Sequence, residues 1–582
     1  MCLTIKRFLE SFVFPLLWVA LFVLFQVSAK YHFFYMEQFQ LFQFSSNYLK
    51  EYLFEVGGLV FYISNFLMQF YALNFLGATI SSSLLTFIAY LSCKILDTSG
   101  KREYSYLGIL PVIPFLVLHL LNYYNLAGTI SFLLMLLAVL LTVKSKHENL
   151  VHIMILLSLI LFWITGPFVY QYLLFMALLY AIKLEKRHFF DLCFVSMIMV
   201  FLGFVVFRLG MVADLSNIFM LDSFYQPRME PPFFIYLPFI FFVGSVLFVW
   251  LITILSLQLK PIISYSITLL IVCLTGFVFL KNELPEQLKN NFLKELDYYS
   301  RTGQWDKILS KGEGKMDNHL YMNYINLALL KKGELTEEMF MYDQRNINSL
   351  MVTWDKTQLV SNLLSDIAFA TGQIAFAQNM SFEALVNYES GVSGRCLQRL
   401  VETNLISGAY PVASKYLDIL DKTLFYRKWA AEYRTILNTD INNEIKIMVD
   451  PRSSIDNLLG FDPLLQELIN CIYSNPNNHS LIEFTKAYLM LSKDMSNIKR
   501  FVETFYGTET LPSLSKSLQE AVIVYSEHDP AYWVKYGISN DIINRFSSFK
   551  QLILENRGKT SIASTANRYY GDTFWYYYMF KA

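Results

Sequence analysis

The residues that invite chemistry in this chain are ionisable groups set in apolar surroundings. Glu37 and His32 stand in an aromatic-rich stretch, KYHFFYMEQFQLFQFSSNYLKEYLFEV at 30–56, which follows directly on an apolar run. A carboxylate held there can act as a base, or hold a metal ion, toward an incoming hydroxyl. The plainer reading of 30–56 is an interfacial helix anchored by Phe33, Phe34, Phe39, Phe42 and Phe44, since aromatic rings favour that depth. His119, Asp191 and Arg208 fall within apolar segments. Charge in hydrocarbon is expensive, so each is a candidate binding residue. Asp191 and Arg208 lie near opposite ends of one segment, however, and from there can reach the interface. His119, followed by Asn122, Tyr123, Tyr124 and Asn125, makes the polar end of a helix. A transporter would lean on Asp191 and Arg208, but no regular relay of acids and bases accompanies them, nor any pair of Gly/Pro-broken helices.

Metal and redox signals are weak. The cysteines at 2, 93, 193, 273, 396 and 471 show no CxxC or paired spacing, which argues against a disulfide framework or a zinc site. His479 with Glu483, and His528 with Asp529, lack a third ligand, so neither is expected to hold a metal. No cofactor is expected from the residues alone.

The elements that must position these groups divide the chain in two. Only 28 of its Lys, Arg, Asp and Glu residues lie in 1–281, against 66 in 282–582. A hydrophobic fraction of 55% and an aromatic fraction of 17% exceed what ordinary soluble proteins carry. Zero net charge argues against nucleic acid as a partner, because phosphate binding needs a basic surface. The first half therefore reads as a transmembrane domain, 1–281, and the second as a soluble domain, 282–582.

Apolar stretches recur at 11–29, 57–77, 79–96, 105–123, 126–143, 150–165, 167–182, 189–212, 231–256 and 262–280. Backbone in lipid must satisfy its own hydrogen bonds, so these are expected to be helices, about ten spans in all. The serines at 81–83 are the expected break between the second and third. Basic loops at 101–102, 144–146 and 183–187 share one side. Under the positive-inside rule that side is cytoplasmic, which sends the C-terminal domain to the outer side. Lys6 and Arg7 ask for a cytoplasmic N-terminus as well, which ten crossings do not allow, so either 57–96 crosses once and re-enters or one span is miscounted.

The second half reads as all-α. Helical hairpin turns are expected at Gly303, in ALLKKGEL at 328–335, at Gly372 and at Gly408. The three glycines named and that of ALLKKGEL are spaced by 30, 39 and 36 residues, bracketing the tetratricopeptide period. Such a solenoid presents a concave face to a peptide or protein, so a protein partner is expected through residues 285–440, with Tyr324, Asn326 and Tyr416 in the grooves. The dense aromatic ending at 569–578 reads as a cap or as packing against a core, with stacking on sugar rings a lesser alternative.

Through the runs GQWDKIL, NLALLKKGEL and DTFWYYYMF, the chain resembles an uncharacterised family of polytopic bacterial inner-membrane proteins with a tetratricopeptide-like C-terminal domain. That resemblance implies about ten transmembrane helices, an extracytoplasmic C-terminal domain and a place in the bacterial cytoplasmic membrane. The order of first helix, aromatic loop and soluble tail also resembles the GT-C membrane glycosyltransferases. That second likeness implies an acid in the first loop, which by position is Glu37, together with a divalent metal and a lipid-linked sugar donor.

Overall fold

Charge and apolarity change together at residue 281, yet the helix Pro261–Lys289 runs straight through the step. In the computed structural model the division falls just beyond that helix. One compact unit comprises Met1–Phe292 with Lys422–Phe425, and the other comprises Leu293–Asp421 with Tyr426–Ala582. The structure describes residues 2–98, 102–145, 150–183, 186–212, 214–225, 232–255, 260–312, 314, 316, 318–388, 391–438 and 464–581. All the regular elements among them are helical. Lys101 and Lys146, two of the residues behind the orientation argument, lie outside the described residues.

In the first unit five helices are long and apolar enough to cross a membrane: Leu76–Asp97, Leu126–Lys144, His188–Arg208, Phe233–Ile254 and Ile263–Asn282. The pair Phe12–Ser28 and Lys30–Phe39, bent by 78° at the break between them, reaches the same length and apolarity only when taken together, as a broken span or a re-entrant loop. Glu103–Leu118, Leu150–Thr165 and Phe168–Ile182 are apolar but shorter. The apolar run 57–77 is no single span: its helix stops at Met68, and a 3-10 turn over Gln69–Ala72 follows. The chain then reverses around Phe75, whose φ is 71°. Ser81 and Ser82, the expected break, are instead buried inside the helix Leu76–Asp97. A serine hydroxyl can be absorbed within a packed helix, so a serine run need not end one.

The stretch after the first bend also departs from expectation. Residues 32–36 are buried side chains of the core. Phe33 meets Tyr71 edge-on at 5.0 Å and Phe25 at 5.6 Å. This close approach depends on Gly77, where an added Cβ would stand 2.5 Å from the Phe33 ring. Phe44 and Phe54, in the later part of the loop, remain exposed.

The second unit stacks helical hairpins. Asn291–Arg301 and Trp305–Lys311 flank the turn at Gly303, and the latter packs on His319–Lys332; Gln358–Ala370 pairs with Ile374–Asn387, and Gly394–Ile406 with Tyr410–Leu420. The turn glycines 303, 333, 372 and 408 all have φ between 67° and 79°. Each is followed by a residue whose N–H donates five residues back: Gln304 to Tyr299, Glu334 to Leu329, Gln373 to Ala368 and Ala409 to Asn404, at 2.8–2.9 Å. This is the helix-ending arrangement that needs a left-handed residue, which glycine adopts without a Cβ penalty. The aromatic ending belongs to the same core. Trp575 is buried against Phe546 and Phe549, and its indole N–H donates to the Glu520 carbonyl at 2.8 Å.

Candidate functional site

Three of the five ionisable residues singled out above are buried in the first unit. His32, Glu37 and His119 are 1%, 4% and 7% exposed. The fold brings His32 and His119 to one cavity, walled also by Met36, Met68, Tyr71 and Tyr124. At about 20 Å³ it has room for a single water molecule. His119 Nε2 lies 2.8 Å from Thr129 Oγ1, which the Tyr124 hydroxyl approaches at 3.1 Å, so a local hydroxyl satisfies the imidazole. Glu37 does not line this cavity. Asp191 and Arg208 stay apart on the helix Lys186–Arg208, roughly 25 Å from one another at helical rise. Asp191 lies 3.6 Å from His188, and Arg208 is exposed at the helix C-terminus, where a cation is favourable. No cluster of three or more His, Cys, Asp or Glu with metal-holding geometry occurs among the described residues.

The second unit holds a much larger opening, a groove of about 490 Å³ within the 285–440 region. Its walls come from successive hairpins: Arg301 and Trp305 from the first, Asp366 and Phe369 from Gln358–Ala370, Arg395 and Arg399 from Gly394–Ile406. Asp366 and Phe369 are three apart on one helix, and Arg395 and Arg399 four apart on the next, so each pair shares a face. Tyr426 completes the wall and depends on Gly394, where a Cβ would meet its ring at 2.3 Å.

The charges there form one chain of contacts. Arg395 donates to Asp297 at 2.7 Å and to Asp366 at 2.6 Å; Arg399 donates to Asp366 at 2.9 Å and to Glu402 at 2.7 Å. Tyr324 donates to Asp297 at 3.1 Å, and Arg301 stands 3.5 Å from the same carboxylate. Phe369 lies under the Arg399 guanidinium at 3.7 Å, a cation–π contact. Burial opposes ionisation of Asp366, but Arg395 and Arg399 outweigh it and hold its carboxyl below the usual range. The arrangement is a rigid, charge-lined floor flanked by Trp305 and Trp429, suited to holding a polar segment with apolar side chains.

The groove lies within 285–440, where the partner-binding face was expected, but it is lined by other residues than those named for it. Tyr324 and Asn326 are core, not groove: both are buried, and Asn326 exchanges hydrogen bonds with Gln344 at 3.0 and 2.8 Å. Tyr416 is half-buried and does not line the groove. Asp297, Asp366, Arg395, Arg399 and Glu402 were missed. The one signal that could have found them is the spacing R-x-x-x-R-x-x-E at 395–402, which puts three charges on one helix face. Cys396 and Cys471 remain separate buried thiols, and burial pushes that of Cys396 up to about 12.

The fold therefore defines a two-part helical protein, one part rich in membrane-length helices and the other a hairpin stack with a polar groove. Over residues 5–581 the chain matches the model of a family of unknown function, DUF6057, and belongs to that family. No curated protein and no solved structure matches it.

Proposed function

We propose that this is an integral membrane protein of the bacterial cytoplasmic membrane whose tetratricopeptide-like domain docks a protein partner in an envelope process. The observation that carries the reading is the groove, of ligand-binding size, lined by charged and aromatic side chains from consecutive hairpins. Five to six membrane-length helices support the anchoring half of the reading. An extracytoplasmic tail, as the basic loops imply, would put the groove in the envelope space. A GT-C-like transferase takes second place, because it needs an acid that substrate can reach and Glu37 is buried.

The test is site-specific photocrosslinking in the full-length protein. A crosslinker at Gln398 or Trp305 is expected to capture a discrete partner, whereas one at Lys559, in the exposed connection between Asn540–Glu555 and Ile562–Tyr570, captures none. Equal capture at both places, or none at the groove, would sink the docking reading. A compartment-specific reporter fused after Ala582 checks the side, with activity on the outer side as the expected result. For the transferase reading the check is Glu37→Gln, expected here to leave the phenotype of the wild type.

A further inference from the structure

The charges lining the groove do not balance. Four cations, Arg301, Lys331, Arg395 and Arg399, line it with two carboxylates, Asp366 and Glu402, and the Asp297 carboxylate that Arg395 and Arg301 contact makes three against four. Arg395 and Arg399 are engaged by the chain's own acids, which take up their forked donors. Lys331 is different. It is exposed at the groove wall, at the end of the helix His319–Lys332, and has no ion pair among the described residues. The side chain as a whole is solvent-accessible, but protein around the ammonium desolvates it, and this with the neighbouring Arg399 lowers its pKa, Asp366 and Glu402 offsetting part of the effect. Two cations facing one space favour an anion between them. Aromatic walls stand on both sides, at Trp305 and Trp429, and Trp429 is stacked on Tyr433 at 3.8 Å.

Building on the docking reading, we propose that the groove takes an acidic peptide segment, with a side-chain carboxylate held by Lys331 beside Arg399 and a neighbouring apolar side chain against Trp305 and Trp429. The chemistry favours a carboxylate over a phosphate or a nucleic acid. The forks of Arg395 and Arg399, which match phosphate best, are already closed by Asp366, Asp297 and Glu402, whereas the Lys331 ammonium has no ion pair among the described residues. Asp366 and Glu402 would repel a polyphosphate backbone lying along the same wall. A cavity of about 490 Å³ is in the range that accepts a short run of residues.

The experiment uses the full-length protein in lipid nanodiscs, with empty discs subtracted, and fluorescence anisotropy of labelled octapeptides. One peptide alternates glutamate with tyrosine; its analogues carry glutamine or lysine in place of glutamate. The glutamate peptide is expected to bind about tenfold tighter than the glutamine one, the effect of one charge-assisted hydrogen bond, and to weaken in high salt. Lys331→Met should erase that preference without changing thermal unfolding, because Lys331 is exposed and unpaired, while Lys331→Arg should keep it. Equal binding of the glutamate and glutamine peptides, tighter binding of the lysine peptide, or no effect of Lys331→Met would overturn the proposal. If binding then still falls in Trp305→Ala and Trp429→Ala, the docking reading survives without its acidic preference. If those variants change nothing either, the groove is not the docking place.

Discussion

The two units bury polar groups in different currencies. In the first, several buried hydroxyls are answered within their own helix. Thr142 donates to the Ala138 carbonyl at 2.8 Å, Thr165 to Leu161 at 2.7 Å, Thr268 to Ser264 at 2.9 Å and Ser245 to Phe241 at 2.7 Å. Each bond returns to the preceding turn of its own helix, which requires nothing of the surroundings. In the second unit the groove floor is built of full charges contributed by helices far apart in sequence. A hydrocarbon environment makes a stray charge very costly, whereas a water-facing groove lets ion pairs form with part of their solvation kept. The difference teaches how each unit handles polarity: the first keeps its helices apolar and membrane-length, and the second gathers its charges into one groove.

The sharpest way to break that contrast is to open the charge chain. Asp366→Ala leaves Arg395 and Arg399 each short of a partner, and a loss of about 3–5 kcal/mol is expected for a partly buried pair broken from one side. Thermal unfolding of the full chain in detergent measures it. A loss below about 1 kcal/mol would mean the network is ornamental.

Next in size is Glu520, a fully buried acid of the second unit. Phe574 N–H donates to its Oε2 at 2.7 Å, and its other oxygen has no partner among the described residues. Burial raises its pKa to about 7, with Arg545 and Lys516 opposing and Asp572 assisting. The folded state therefore prefers the protonated acid, and its stability falls as pH rises from the unfolded value near 4.5 to about 7, then levels off. Glu520→Gln keeps an acceptor for Phe574 and removes the titration. It is expected to stabilise by on the order of 2–3 kcal/mol at pH 8 and by little at pH 4.5. An equal effect at both pH values would exclude titration as the cause.

Two glycines sharpen the comparison at smaller scale. Gly77→Ala in the first unit forces a Cβ into the Phe33 ring and should cost about 1–3 kcal/mol, whereas Gly244→Ala, with nothing within 4 Å, should be neutral or slightly stabilising. Similar values for the two would show that Phe33 yields freely. Gly408→Ala meets no neighbour at all, so its expected cost of about 1–2 kcal/mol comes from φ alone. A neutral result there would remove the reason given for the turn glycines.

Much of this was legible in the residue order, and what was legible was local. The apolar runs announced helices of membrane length at 79–96, 126–143 and 262–280, because a spanning helix is written in consecutive residues. The run 57–77 misled, since apolarity alone does not reveal that the chain turns at Phe75 and packs as shorter pieces. The hairpin glycines 303, 372 and 408 were readable because a left-handed helix ending is a property of a single residue.

By itself, then, the sequence determined the all-helical character, the partition into an apolar and a polar half, and the places where hairpins turn, all of which depend on neighbours within a few residues. Only the tertiary structure decided which side chains are buried and which meet in the groove. It buried Tyr324, Asn326 and Glu37, left Asp191 and Arg208 apart, and drew Arg395 to Asp297 across 98 residues. Such ion pairs form when stacked helices bring distant faces together, and no local pattern encodes the distance between two helices that only packing sets.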